Sequence, residues 1–412
     1  MARVDRADSE VVMPGELPVG EPVPRDGSLP AGVSAGKRPF ALYIHIPFCS
    51  RRCGYCDFNT YTIAELGGDE SIEKRYVDAL IAEIAMARVI VGDQQVETIF
   101  FGGGTPTLLP SSEIARILNA VRLHFRLSSD VEITTEANPD SVTAESLGEL
   151  RAAGINRISF GVQSTTPHVL KTLDRTHNPE QVPVVVQAAR DAGFSHISVD
   201  SIYGTPGETI EEWRDSVLSL LTLPIDHISA YSLIVEEGTK LGAQVRRGVL
   251  AMPDEDLNAD KYIVADDLFT SAGFSWYEVS NWAKTGGACK HNEMYWMNND
   301  WWGLGAGAHS HIDGVRWWNR KLPAAYIKEL QEGASPALAR EILTDDERAF
   351  EELMLGIRTR AGLPLSVIPQ GAAEQALEDG NLEPAQYALG RVVLTRSGRL
   401  IADALLRAFS DA

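Results

Sequence analysis

The chain has 412 residues, 44% of them hydrophobic and 23% charged, enough for one large globular domain and a smaller one. No run approaches the roughly 20 apolar residues of a membrane span, and Asp5, Asp8 and Glu10 precede any apolar stretch, which speaks against a secretory signal and for a cytoplasmic location. The net charge of −20 disfavours nucleic acid, which is gripped by clustered Lys and Arg, and favours small molecules or proteins as partners.

Residues 1–38 hold prolines at 14, 18, 22, 24 and 30 and little periodicity, so a disordered or loosely draped leader is expected. From Phe40 a regular alternation begins. Strand-like runs fall at 41–47, 97–101, 131–136, 157–161, 196–202 and 227–233, with helical patterns at 71–88, 111–125, 143–153, 179–192 and 209–222. Ser111 or Ser112 before Glu113, and Thr209 before Glu211 and Glu212, are the expected helix starts. Such βα units demand an α/β fold with a parallel sheet and right-handed crossovers. Periodicity leaves open whether the sheet is doubly wound or a partial barrel.

The pattern loosens after about 240. A helix at 255–271 leads to a strand within 274–280, then to a Trp-, Tyr- and His-rich segment at 289–311. The expected division is a core over 39–285, an aromatic extension over 286–343 and a last unit over 344–412. That unit opens with the capping box Thr344 and Glu347. It closes with a strand at 391–395, a Ser397-Gly398 turn and a helix at 399–409. These elements suggest a winged-helix-like α+β shape. With seven basic against eleven acidic residues over 344–412, its role is structural or protein-docking rather than DNA-binding.

Three of the four cysteines, Cys49, Cys53 and Cys56, lie within eight residues directly after the first strand. Loops at the C-terminal ends of parallel strands are where ligand-binding residues collect. Thiolates suit iron–sulfur clusters, which usually take four of them. Cys289 is too far along the chain to be an evident fourth, so one iron is left open. A zinc knuckle completed by His45 fits less well, because structural zinc favours paired CxxC arrangements. The other strand ends bear glycines or polar residues: Gly103, Gly104 and Thr105 after the second, Glu136 at the third, Gln163 at the fourth, Asp200 on the fifth and Ala230 on the sixth. Arg175 suits a carboxylate. Tyr43 and Tyr55 flank the cysteines, where core packing is the alternative.

The motifs YIHIPFC, CxxxCxxC, FGGGTPT, EANP, ISFGVQS and HNxxYW together resemble the radical S-adenosylmethionine superfamily. From about Leu42 to the C-terminus they resemble its coproporphyrinogen III dehydrogenase-like subfamily. That resemblance implies a partial (β/α)6 barrel and a 4Fe-4S cluster on Cys49, Cys53 and Cys56. It also implies S-adenosyl-L-methionine bound at the open iron and along the strand ends, with His309 at its border, and an electron donor such as flavodoxin or ferredoxin. The dehydrogenases carry a further cysteine where this chain has Phe58; the related heme chaperones carry an aromatic residue there, and the HNxxYW motif. The chaperone branch implies heme as cargo, a heme-acceptor protein as partner, and membrane association only through that partner. His291 and Cys289 are then candidate heme ligands, with His309 and His311 secondary. The alternative reading is oxidative decarboxylation of coproporphyrinogen III.

Overall fold

The computed structural model describes residues 20–69 and 71–410. Six parallel strands come first, β1 (Phe40–Ile46), β2 (Gln95–Gly103), β3 (Arg126–Ala137), β4 (Arg157–Gln163), β5 (His196–Tyr203) and β6 (His227–Ser232). They lie side by side in chain order. A doubly wound sheet reverses its strand order partway; this one does not. Right-handed crossovers between sequential neighbours put every helix on one face, so the sheet wraps its other face into a barrel interior. Side chains sort accordingly by alternation. Leu42, Ile44, Ile99, Phe101, Ile133, Ile158, Phe160, Ile197, Val199 and Ile228 are fully buried or nearly so beneath the helices. Tyr43, Thr98, Glu132, Glu136, Arg157, Ser159, Asp200 and Ser229 alternate with them on the inner face.

Two antiparallel strands, β7 (Ser275–Glu278) and β8 (Asn281–Ala283), finish one edge against β6. On the other edge β9 (Asp300–Leu304) runs parallel to β1, followed by antiparallel β10 (His309–Ile312), β11 (Val315–Asn319) and β12 (Ala337–Ile342). The twelve strands form one open sheet. Among the described residues no helix is long and apolar enough to cross a membrane.

Several expectations need correction. Residues 1–19 lie outside the described residues, but 20–38 is not a free tail. Glu21 pairs with Arg340 of β12 through both backbone bonds, 2.8 and 2.9 Å, and Leu29, Val33 and Ala35 pack on the core. The helix Ser111–His124 starts after Pro110, without a side-chain cap, so neither serine serves as its cap. Thr209 does cap Ile210–Leu221, in a reciprocal box with Glu212, as Thr344 does with Glu347. Each such cap is worth about 1 kcal/mol. Ser397 and Gly398 sit inside the short helix Arg396–Leu400 rather than a turn, and the strand before them shortens to Arg391–Val392.

The C-terminal unit has its own core around Ile357, Leu382, Val392 and Phe409. It docks through Arg399, which donates to Asp266 Oδ1 and Oδ2 at 3.2 and 2.9 Å and to the Tyr262 hydroxyl at 2.9 Å. Its guanidinium also lies 4.6 Å from the Trp276 ring centroid. Arg399→Ala removes this anchor from the largely buried Asp266; truncating one partner of a buried ion pair costs about 3–5 kcal/mol. The expected result is a C-terminal unit cut earlier in limited proteolysis, with a lowered unfolding midpoint.

Candidate functional site

The cysteine loop is held largely by backbone bonds. Gly104 and Thr105 donate to the Ile46 and Phe48 carbonyls, each at 2.8 Å, Cys49 donates to Tyr61 at 3.0 Å, and Tyr61 to Pro47 at 2.7 Å. In mid-loop Gly54 donates to Leu173 at 3.3 Å and accepts from Leu241 at 2.8 Å. This explains the glycine run differently from close approach to a ligand. A Cβ on Gly104 would meet the Phe48 carbonyl at 2.5 Å, and one on Gly103, at φ +108°, the His45 ring at 2.4 Å. Glycine is required so that β2 can seat the loop.

Cys49, Cys53 and Cys56 are all partly exposed free thiols. Burial raises the Cys49 thiol, and next to it the neighbouring Cys53. Burial also pushes Cys56 up to about 11, with Cys53 and Cys49 contributing. The three thiols thus share one loop and lie within electrostatic reach of one another, although among the described residues no three metal-binding side chains are drawn together tightly enough for a single ion. The buried Thr60 hydroxyl finds no partner among the described residues and lies against Cys49. His45 cannot complete a metal site, since its ring nitrogens are taken by the Tyr43 hydroxyl at 3.0 Å and the Asn59 carbonyl at 2.9 Å. An all-sulfur donor set with three members fits an iron–sulfur cluster with one open corner.

Arg175 lies against the cysteine loop. It donates to Cys53 Sγ at 3.6 Å, Asn138 Oδ1 at 2.8 Å and the Gly161 carbonyl at 2.5 Å. Asn138 in turn donates to Thr105 Oγ1 at 3.0 Å. Beside them Gln163 is held at φ +64°, where β4 bulges against β5. A left-handed non-glycine residue at a strand end costs on the order of 1–3 kcal/mol and is held only by surrounding structure, often at a ligand site. Tyr55 lies by Cys53, Arg175 and Asp200, and burial raises its phenol well above the ordinary range.

Deeper in the barrel, Glu136 accepts from Gly103 N–H at 3.1 Å. Burial, then the nearby Asp200 carboxylate, pushes Glu136 up to about 8. Asp200 is raised by burial, while hydrogen bonds from Ser229 and Ser159 oppose the shift; Ser159 donates at 2.8 Å. A carboxyl that takes up a proton so readily, beside a second one raised in the same direction, can donate to hydroxyls as well as accept from them. Ala230 belongs elsewhere. Its side chain packs in the helix-facing core, and its N–H is taken by Ser280 at 2.8 Å. The inward residues of β6 are Ser229 and Tyr231, which strand alternation identifies once the inner face is known. His309 lies at the rim, beside the turn where Asn59 donates to the Ala306 carbonyl at 3.0 Å, at the same end as the cysteines.

The HNxxYW segment is at the opposite end. Its helix, Lys290–Trp296, plugs the barrel where the strands begin. Arg157, 1% exposed, reaches the Gly287 and Ala288 carbonyls at 2.8 and 3.3 Å and Glu132 at 3.4 Å. Glu132 accepts the backbone N–H of Lys290 and His291 at 3.2 and 3.0 Å. His291 is 1% exposed, with Nδ1 on the Thr98 hydroxyl at 2.8 Å and Nε2 on the Tyr295 hydroxyl at 2.9 Å. Its ring stacks on Phe100 at 5.1 Å. Cys289 is buried with its sulfur 3.5 Å from Glu132. In this arrangement neither offers a lone pair to an iron, which corrects their expected role as open heme ligands. His311 is engaged as well, by the Asn299 carbonyl at 3.2 Å and Gly314 N–H at 3.2 Å.

The radical SAM superfamily model matches residues 43–220. The chain is 46% identical over 373 residues to the heme chaperone HemW of Mycobacterium tuberculosis strain H37Rv, covering 90% of this chain and 94% of that one. It is 35% identical over 381 residues to the heme chaperone HemW of Bacillus subtilis, covering 90% and 98%. The Escherichia coli coproporphyrinogen III oxidase HemN, a radical SAM enzyme, is similar in structure, with TM-score 0.74 and 25% identity over 90% of each chain.

Burial keeps His291 down at about 3 and His45 at about 4, so both stay neutral in the folded chain. In the unfolded chain they titrate near 6.5. Below that pH the unfolded state takes up protons the native state refuses, so the contribution of these two histidines is full above about 6.5 and falls as pH drops toward 4, against an opposite contribution from the raised carboxyls Glu136 and Glu83. Each such histidine costs about 1.4 kcal/mol per pH unit in that window. Thermal midpoints between pH 7.5 and 4.5 check this, and His291→Gln, neutral throughout, shallows the slope. An unchanged slope means that His291 titrates freely in the folded chain.

Proposed function

From the premise that this chain belongs to the HemW family of the radical SAM superfamily, we propose that it is a cytoplasmic heme chaperone carrying a 4Fe-4S cluster and S-adenosylmethionine. The observation that carries the reading is sequence similarity extending over nine tenths of the chain, joined to three partly exposed free thiols on the loop that follows the first barrel strand. Phe58, where the dehydrogenase pattern has a further cysteine, favours the chaperone over coproporphyrinogen decarboxylation.

Cys49, Cys53 and Cys56 would hold the cluster, and its open iron would take the amino and carboxylate groups of S-adenosylmethionine. When bound and reduced, that pair supplies one-electron chemistry. The protein's own residues do the rest. Arg175 presents a guanidinium to a carboxylate beside Cys53, and Glu136 and Asp200, both raised by burial, offer donor and acceptor oxygens to ribose hydroxyls. Gln163, fixed at its strained position, closes the strand end, and Tyr55 covers one side of Cys53. Phe58, 58% exposed, and the exposed Arg51 and Arg52 give an acidic electron donor such as flavodoxin a place to dock. Heme passes to an acceptor protein.

Anaerobic reconstitution of the full chain is expected to give about four iron and four sulfide per molecule, lost in the Cys49→Ala, Cys53→Ala, Cys56→Ala variant. The reconstituted protein gives a Soret band with hemin and forms no protoporphyrinogen from coproporphyrinogen III under reductant. A chain without hemin binding at sub-millimolar concentration, or one turning over coproporphyrinogen, overturns the chaperone reading.

A further inference from the structure

With His291 and Cys289 enclosed, a heme needs another place, and the structure has one. A cavity of about 680 Å³ opens at the N-terminal end of the barrel, between the end of the plugging helix and the C-terminal unit. That volume falls within the roughly 300–1,000 Å³ of small-molecule and cofactor sites. We propose that heme binds in this cleft, with the Met297 thioether as axial ligand and the Arg38 and Arg360 guanidiniums meeting the propionates. The proposal rests on the heme-chaperone reading and assigns its site.

Chemistry selects Met297. The lining contains no histidine or cysteine, and Met297 is its one methionine; thioether sulfur is an axial ligand of heme iron. Met297 is 58% exposed, so its side chain is accessible from the cleft it lines. Tyr277, the other candidate in the lining, already shares its hydroxyl with His227 Nε2 at 2.8 Å and Asn292 Nδ2 at 3.2 Å. The turn bearing Met297 is fixed. Asn298 sits at φ +51°, and its carbonyl accepts from Arg38 at 2.5 Å. Trp296 supplies a flat apolar wall beside it.

The charges fit two carboxylates. Arg38 pairs with Glu352 at 3.2 Å across a surface where both side chains are more than a third exposed, a weak interaction that a propionate can replace. Arg360 is exposed and anchored only by its backbone N–H, which donates to the Tyr277 carbonyl at 2.8 Å. Its side chain pairs with no carboxylate among the described residues. The lining also holds Glu278 and Glu293. Glu278 is turned inward, accepting from Asn292 at 3.1 Å and Ser280 at 3.2 Å, and burial raises both carboxyls toward the neutral form.

The test titrates hemin into the full-length, cluster-reconstituted protein and follows absorption and electron paramagnetic resonance. Wild type binds. Met297→Ala shifts the Soret maximum and alters the spin state, and Met297→His installs the low-spin signature of a nitrogen ligand. Arg360→Ala, at an exposed side chain that pairs with no carboxylate among the described residues, weakens binding about tenfold, the equivalent of about 1.4 kcal/mol. If all three variants bind hemin with wild-type spectra and affinity, the cleft is not the site, although the chaperone reading stands. If wild type itself binds no hemin, that reading falls and the site with it.

Discussion

The buried guanidinium of Arg157 organises the closed end of this barrel. A cation with 1% exposure is tolerable only when fully partnered. Its partners are the Glu132 carboxylate, the Ser198 hydroxyl and the carbonyls of Gly287 and Ala288. The last two place the start of the HNxxYW segment, and Glu132 receives the first backbone N–H groups of its helix. The helix is positioned by electrostatics from the strands before any side chain of the motif makes its own contacts. His291 then fills the lumen against Phe100 and Tyr43.

A second hub joins the two edges of the chain. Glu83, with no exposure, accepts from Gly305 N–H and Asn319 Nδ2, both at 2.8 Å, and from the Tyr326 hydroxyl. Beside it the Tyr76 hydroxyl donates to the His45 carbonyl and accepts from Ala306 N–H, each at 2.8 Å. The turn before His309 is thereby locked to the strand that carries the cysteines. Burial holds Glu83 up at about 7, so this hub is partly protonated near neutrality.

The six strands and their helices were legible because alternation and the 3.6-residue period are local signals, and the cysteine spacing is local too. Partners far apart in the chain were not. Nothing near Glu83 announces Asn319 or Tyr326, and Arg157 reads as an ordinary strand start until Gly287 comes to meet it. The HNxxYW histidine misled for a related reason. A sequence shows that an imidazole is present but not that Thr98 and Tyr295 have already claimed both nitrogens. Likewise Gly103 and Gly104 are required by His45 and Phe48, a packing demand invisible until the strands are paired. Ala230 was selected by position at a strand end, where alternation turns its side chain outward.

Main-chain bonds to Ile46, Phe48, Tyr61 and Leu173 give the cysteine loop much of its shape apart from anything its thiols would hold. Small metal-dependent domains such as zinc fingers melt when stripped, since ligation is their folding energy. Here the chain supplies much of that hold itself. An oxygen-labile centre on this loop would then be rebuilt in place on the same polypeptide, and damage to the inorganic part would not condemn the molecule to degradation.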